Sequence, residues 1–300
     1  MTPSTIAIYA VCVLIWGTTW IMIKYQLGEV ALQASLTYRF TIAAAVLLIY
    51  ALVTRRRLRI NRRHWFMVAA QGILMFSVNY YFVYWGAEYI TSGLIAVLFT
   101  TLVIMNSVNE RVLFGIPLHG MALLAGLCCV VGVGLIFWPE VNQLSTDSNA
   151  LRGMALILAG AYAGSLGNMA AMKNSHAKLP VIAVNLYGMV LGTIASALFA
   201  LATGVPFGFD TDPRYWGSLL YLSIPGTAIA FCLYFELINR IGASKAAYVS
   251  ILLPVVALLM STLFEGYQWS IAAVVGLSLA LGGNALALSV KTPGAPRPRA

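Results

Sequence analysis

Long apolar runs alternate with short polar breaks along the chain, and the length of those runs sets the architecture. About 20 residues at 1.5 Å each cross ~30 Å of hydrocarbon. On that measure the pattern predicts ten helical spans, at 4–24, 31–53, 65–87, 91–109, 119–138, 151–172, 180–203, 215–239, 244–263 and 270–290. The breaks between them are concrete: Arg55-Arg56-Arg57-Leu58-Arg59 through Arg62-Arg63, Trp138-Pro139-Glu140, Asp210-Thr211-Asp212-Pro213 and Glu265-Gly266. The first run lacks a basic segment ahead of it and ends in Trp20-Ile21-Met22-Ile23-Lys24, not in small residues, so it reads as a retained helix. The Pro- and Arg-rich stretch 291–300 reads as a disordered cytoplasmic tail.

Composition agrees. Apolar residues make up 61% of the chain, charged residues 9%, and the mean hydropathy is +0.87, whereas a soluble domain carries about 25% charge. The fold class is an all-α integral membrane protein. Orientation follows from Lys and Arg, which collect on the cytoplasmic side of membrane proteins. With the N-terminus cytoplasmic, fourteen of the eighteen fall on that side, against Lys24, Arg152 and Arg214 opposite and Arg39 within span two. This predicts a multi-pass protein of the plasma membrane (the bacterial inner membrane) with both termini cytoplasmic. The net charge of +9 does not point to nucleic acid, because the basic residues punctuate spans and form no face. Cys12, Cys128, Cys129 and Cys232 lie inside apolar runs without metal-ligand spacing and read as small hydrophobes.

The chain also matches itself weakly. A shift of 151 pairs Ile90, Ala96, Leu102 and Gly115 with Ile241, Ala247, Leu253 and Gly266, and a shift of 150 pairs Gly126 and Gly132 with Gly276 and Gly282. Five spans per half is an odd number, so the two halves, 1–145 and 146–290, would insert in opposite directions. Those glycines permit close helix packing, within one chain or between two copies in a homodimer.

Enzymatic chemistry finds no support. There is no H-E-x-x-H, Ala163-Gly164-Ser165-Leu166-Gly167 falls short of a nucleophile elbow, and no Asp lies inside a predicted span. No catalytic residue, metal or cofactor is expected. Deep polar residues are costly in lipid and turn inward. Arg39, roughly 13 Å into span two, reads either as a carboxylate-capturing group helped by Lys24 or as a structural partner of Glu88 or Glu29. Glu236 and Arg240 have the spacing of a helix-surface pair. Lys245 reads as an anchor or as a substrate contact.

The aromatics say more. Asn79 and Tyr80-Tyr81 lie halfway along span three, and Ser77, Tyr81, Tyr84 and Glu88 form one helical stripe. Thr227, Phe231, Tyr234 and Ile238 form another in span eight. Phe99, Tyr162, Ser165, Asn168, Asn185, Tyr187, Tyr248 and Ser250 add polar or aromatic groups in other spans. Mid-depth tyrosines need partners or water, which favours a hydrated cavity over lipid, and their rings can hold an ammonium or stack on a ring. The expected substrate-binding set is Lys24, Arg39, Asn79, Tyr81, Tyr84, Phe99, Tyr162, Ser165, Asn185, Phe231, Tyr234 and Tyr248. Pro225, Gly226 and Pro254 interrupt the backbone ladder and are candidate hinges.

Trp16-Gly17-Thr18-Thr19-Trp20-Ile21-Met22-Ile23-Lys24 resembles the end of the first helix in EamA-type proteins of the drug/metabolite transporter superfamily, as do Arg39-Phe40, Ile241-Gly242-Ala243-Ser244, Pro254 and Glu265. The aromatic third span makes the chain similar to the YddG-type aromatic amino acid exporters within that superfamily. The resemblance implies two inverted five-helix repeats and alternating-access export of amino acids or similar small amphipathic metabolites. The first half departs from the pattern, with Val103 and Phe114 where the second has Pro254 and Glu265. All nine acids lie at or near predicted span ends, which favours a facilitator or exchanger. The alternatives are a multidrug exporter of organic cations, which would want a deep acid, and an intramembrane enzyme.

Overall fold

A computed structural model of the chain describes residues 2–26, 30–90, 95, 98–118, 120–136, 138, 148–264 and 269–289. The predicted tail 291–300 and the boundary between 145 and 146 lie outside the described residues. Among the described residues every regular element is helical. Helices α1 (Pro3–Lys24) and α2 (Leu32–Val53) are followed by a rod built from α3 (Trp65–Ile73), a π-turn (Leu74–Val78) and α4 (Asn79–Ala87). Then come α5 (Leu102–Phe114), α6 (Gly120–Ile136), α7 (Ser148–His176) and α8 (Val181–Ala202). A second interrupted rod consists of α9 (Pro213–Ser223), a π-turn (Ile224–Ile229) and α10 (Ala230–Ile241). The chain ends with α11 (Ala243–Ala247), α12 (Val249–Phe264) and α13 (Ile271–Ser289). Five segments are long and apolar enough to cross a membrane: Leu32–Val53, Arg62–Gly86, Asn149–His176, Val181–Ala202 and Pro213–Ile241. Shorter apolar helices, Pro3–Thr19, Leu123–Ile136, Ala243–Val256 and Ile271–Ala287, accompany them.

Two helical runs each contain a π-turn, the first in a run expected as a plain helix and the second at the expected Pro225-Gly226 interruption, and the second begins 150 residues after the first, at Ile224 against Leu74. The second has a local cause. Pro225 has no N–H to give, and its ring crowds the preceding turn, so the ladder widens. The Leu222 carbonyl accepts the Thr227 hydroxyl at 2.7 Å, and the Gly226 carbonyl accepts the Trp16 indole N–H at 3.0 Å. A predicted bend is thus a set of redirected hydrogen bonds that ties α9–α10 to α1.

Helix α5 overruns its predicted end at 109 and stops at Gly115, whose φ of 69° suits glycine. It can continue because its polar residues are satisfied inside the bundle. Asn109 donates to the Ser165 hydroxyl at 2.8 Å, and Asn106 donates to the Ala243 carbonyl at 3.2 Å. Glu110, 7% exposed, accepts from both the backbone N–H (2.8 Å) and the hydroxyl of Ser244. A carboxylate there also complements the N-terminus of α11, which follows Gly242 at φ 83°. Glu110, just past the predicted span end at 109, is a buried link between α5 and α11.

Helices α6 and α13 run antiparallel in close contact, with Gly132 against Gly276 and Ala280, and Ala125 and Cys129 against Gly283. Lipid tails are as apolar as leucine, so such contacts gain from close backbone approach instead of water exclusion. An aromatic cluster occupies the middle of the bundle. Trp16 lies 5.1 Å from both Phe231 and Tyr234 between ring centroids, and Phe76 lies 4.9 Å from Phe231.

Candidate functional site

One cavity of about 400 Å³ opens above this aromatic cluster, within the 300–1,000 Å³ usual for small-molecule sites. Its walls come from α1 (Trp16, Thr19), α2 (Arg39), the first interrupted rod (Met75, Asn79, Tyr80, Val83, Tyr84) and α5 (Leu102) with Phe99 just ahead of it. From the second half come α7 (Gly164, Asn168), α10 (Phe231, Tyr234), α11 (Ala247) and α12 (Ser250, Leu253). The Arg55–Arg63 cluster marks one end of the bundle, and the cavity runs from mid-bundle away from that basic end, to Ile90 and Ile95. Toward the basic end it is closed by the aromatic cluster and then by the Asn106–Ala243, Ser107–Ser244 and Glu110–Ser244 contacts.

Arg39 is the most heavily charged group on this wall, and it is 3% exposed. Its Nε donates to the Thr227 hydroxyl at 2.8 Å, and Nη2 reaches the Tyr80 hydroxyl at 3.5 Å. The guanidinium carbon sits 5.2 Å from the Tyr80 ring centroid and 5.8 Å from that of Phe40, a cation–π arrangement. The Tyr84 hydroxyl shares these surroundings, and its ring stacks on that of Tyr80 at 6.1 Å. The π-turn in the second rod is what presents Thr227 to Arg39, so the interrupted backbone holds the arginine in place. An ion pair with Glu88 is absent; Glu88 is exposed, and Glu29 lies outside the described residues.

Of the twelve residues expected to bind substrate, Arg39, Asn79, Tyr84, Phe99, Phe231 and Tyr234 meet at the cavity. Five of the others go elsewhere. Tyr81 donates to the Ser196 carbonyl at 3.0 Å and packs on Phe199, because the Ser77–Tyr81 stripe faces α8. Tyr162 is 49% exposed on the outside of α7. Ser165 is buried under Asn109. Asn185 lies in a separate polar pocket toward the basic end with Gln71 and Asn174. Tyr248 is buried over Gly126. The side chain of Lys24 lies outside the described residues. Lys245 is near α5 on the basic side, and Glu236 and Arg240 form an exposed pair at 2.7 Å, with Arg240 also bonded to Ser4. Of the hinge candidates, Pro225 and Gly226 lie within the second π-turn and Pro254 lies inside α12.

Sequence reasoning passed over Trp16, Thr19, Tyr80 and Leu253 as cavity residues. A signal existed for Tyr80, which is four residues before Tyr84 on the same face as Asn79 and Val83. For the others, only the packing of distant helices assigns the face.

An all-helical, multi-pass membrane protein with a central aromatic cavity is the class that these features define. The chain belongs to the EamA-like transporter family, whose model matches it over residues 4–138 and again over 151–289. The uncharacterized transporter YoaV of Bacillus subtilis is 26% identical over 267 residues, covering 89% of this chain and 90% of its own. An uncharacterized transporter of Archaeoglobus fulgidus is 25% identical, covering 83% of this chain and 85% of its own. A solved structure at 19% identity superimposes with a TM-score of 0.80 over 96% of this chain and 97% of that one, which establishes the fold. The protein is therefore a membrane transporter of small substrates and not an enzyme.

Proposed function

We propose that this transporter exports amino acids, aromatic and other neutral ones, together with similar small amphipathic metabolites, by alternating access between two inverted five-helix halves. The observation that carries the reading is the cavity itself: ring-walled, closed toward the basic end, and lined by helices of both family-model matches. With the basic end cytoplasmic, as the charge bias argues, this is a conformation facing away from the cytoplasm in the plasma membrane. The π-turns 150 residues apart support the two-half organisation, and the aromatic third span supports the similarity to YddG-type exporters. Pro225, Gly226 and Pro254 are the proposed bending points. Among the described lining residues there is no Asp or Glu, which argues against organic cations and against a proton-carrying acid within the cavity.

The test is counterflow in proteoliposomes. Vesicles preloaded with unlabelled tryptophan, phenylalanine or leucine should accumulate labelled tryptophan transiently above equilibrium, and a protonophore should leave the overshoot intact. An absence of overshoot with every preloaded amino acid would refute amino acid exchange.

A further inference from the structure

We infer that Arg39 makes a carboxylate the obligatory feature of the substrate and leaves the amine dispensable, so that aryl-alkyl carboxylic acids are substrates alongside the amino acids. This rests on the cavity being the substrate site. The argument begins with a guanidinium that is only partly satisfied. Arg39 is buried and lines the cavity, its Nε and Nη2 are committed to Thr227 and Tyr80, the Tyr84 hydroxyl beside it is a neutral neighbour, and Nη1 is buried with no partner in hydrogen-bond geometry. Among the described residues it has no ion pair. An arginine cannot escape this position by losing its proton, and an unpaired buried charge is strongly disfavoured. An anion is the chemical species that resolves it, and a planar carboxylate fits the guanidinium fork.

The size and walls of the cavity specify the rest. Trp16, Phe99, Phe231 and Leu253 surround the space beyond Arg39 with apolar surface, suited to a ring or branched side chain. An α-ammonium has a poorer reception. Among the described lining residues no carboxylate faces it; the Asn168 Oδ1, buried without a hydrogen-bond partner, is a neutral acceptor, while the Asn79 amide donates to the Gly160 carbonyl at 2.7 Å and the Ser250 hydroxyl to the Ala247 carbonyl at 2.7 Å. The site thus reads the acid through a charged, directional contact and the amine through uncharged groups only, the Asn168 amide oxygen and the π-faces of its rings. A phosphate would present the same negative charge, but the cavity supplies a single described cation, which matches one negative charge better than two.

The test compares four compounds that share an indole: tryptophan, indole-3-propionate (acid, no amine), tryptophan amide and tryptamine (amine, no acid). Each is assayed as a competitor of labelled tryptophan counterflow and as a ligand that raises the melting temperature of the detergent-purified protein. Indole-3-propionate should match tryptophan within a few-fold in both, and the two amines should be weaker by at least about tenfold, the scale of a charge-assisted hydrogen bond. In Arg39→Gln the acid–amine discrimination should collapse, and Arg39→Lys should recover part of it. Tryptamine equal to tryptophan, or indole-3-propionate inactive beside active tryptophan, would overturn the inference while leaving amino acid transport standing. If counterflow fails for every amino acid but indole-3-propionate alone raises the melting temperature, the amino acid reading falls and the carboxylate site survives. The wild-type panel decides the matter even if the Arg39 variants do not fold.

Discussion

Gly276→Leu is expected to leave little folded protein. A side chain at Gly276 meets the Gly132 carbonyl, the Ile136 nitrogen at 2.9 Å and the Leu135 Cβ at 3.0 Å. Backbone cannot rotate away as a side chain can, so α6 and α13 would have to separate along their shared face. Ordinary overpacking costs about 1–3 kcal/mol, and a contact against backbone exceeds that range. A glycine inside a helix already costs about 1 kcal/mol relative to alanine, so its presence at this contact is explained by packing. Gly134 and Gly282 provide the contrast, since an added Cβ there meets nothing within 4 Å. Their alanine variants should be as stable as the wild type or more so, by up to about 1 kcal/mol. Size-exclusion yield and melting temperature in detergent check both expectations. A well-folded Gly276→Leu protein would mean that the α6–α13 packing described above is wrong.

Ser250→Trp is expected to abolish most transport without unfolding the protein. Ser250 faces the cavity from α12, and its hydroxyl bonds to the Ala247 carbonyl three residues earlier at 2.7 Å, a local contact on which little other structure depends. An indole at this position has space to enter, because Ser250 borders a cavity of about 400 Å³, a volume near the lower bound for small-molecule sites. Occupying it brings the remaining volume below that bound. Counterflow should fall at least about tenfold, equivalent to roughly 1.4 kcal/mol, while elution profile and melting temperature stay near wild type. Transport at the wild-type rate in a well-folded Ser250→Trp protein would place the substrate path elsewhere.

The helices were legible in the sequence because apolar runs of membrane-crossing length end at charged breaks. The mean hydropathy cannot register a π-turn, however, and the phase of the first rod depends on one. The expected stripe of Ser77, Tyr81, Tyr84 and Glu88 is split, for Ser77 and Tyr81 face Ser196 of α8 while Tyr84 joins Tyr80 at the cavity. Periodicity identifies faces; it does not say which helix each face meets. Arg39 was identifiable as a deep charge, yet its partners Thr227 and Tyr80 are separated from it by 188 and 41 residues, and only the folded bundle brings them together. Glu110 was hidden for a related reason. An acid near a predicted span end reads as solvated, and its burial against Ser244 follows from the approach of α11, 134 residues later.

Substrate protection of a cysteine placed in the cavity tests the central claim most directly. Ser250→Cys, and Tyr25→Cys at an exposed turn outside the cavity lining, are labelled with a maleimide in proteoliposomes, with the wild type giving the background of its four native thiols. Tryptophan at ten times its dissociation constant should slow labelling of Ser250→Cys about tenfold, as occupancy requires, and leave Tyr25→Cys unchanged. Equal labelling of Ser250→Cys with and without saturating tryptophan would contradict the account.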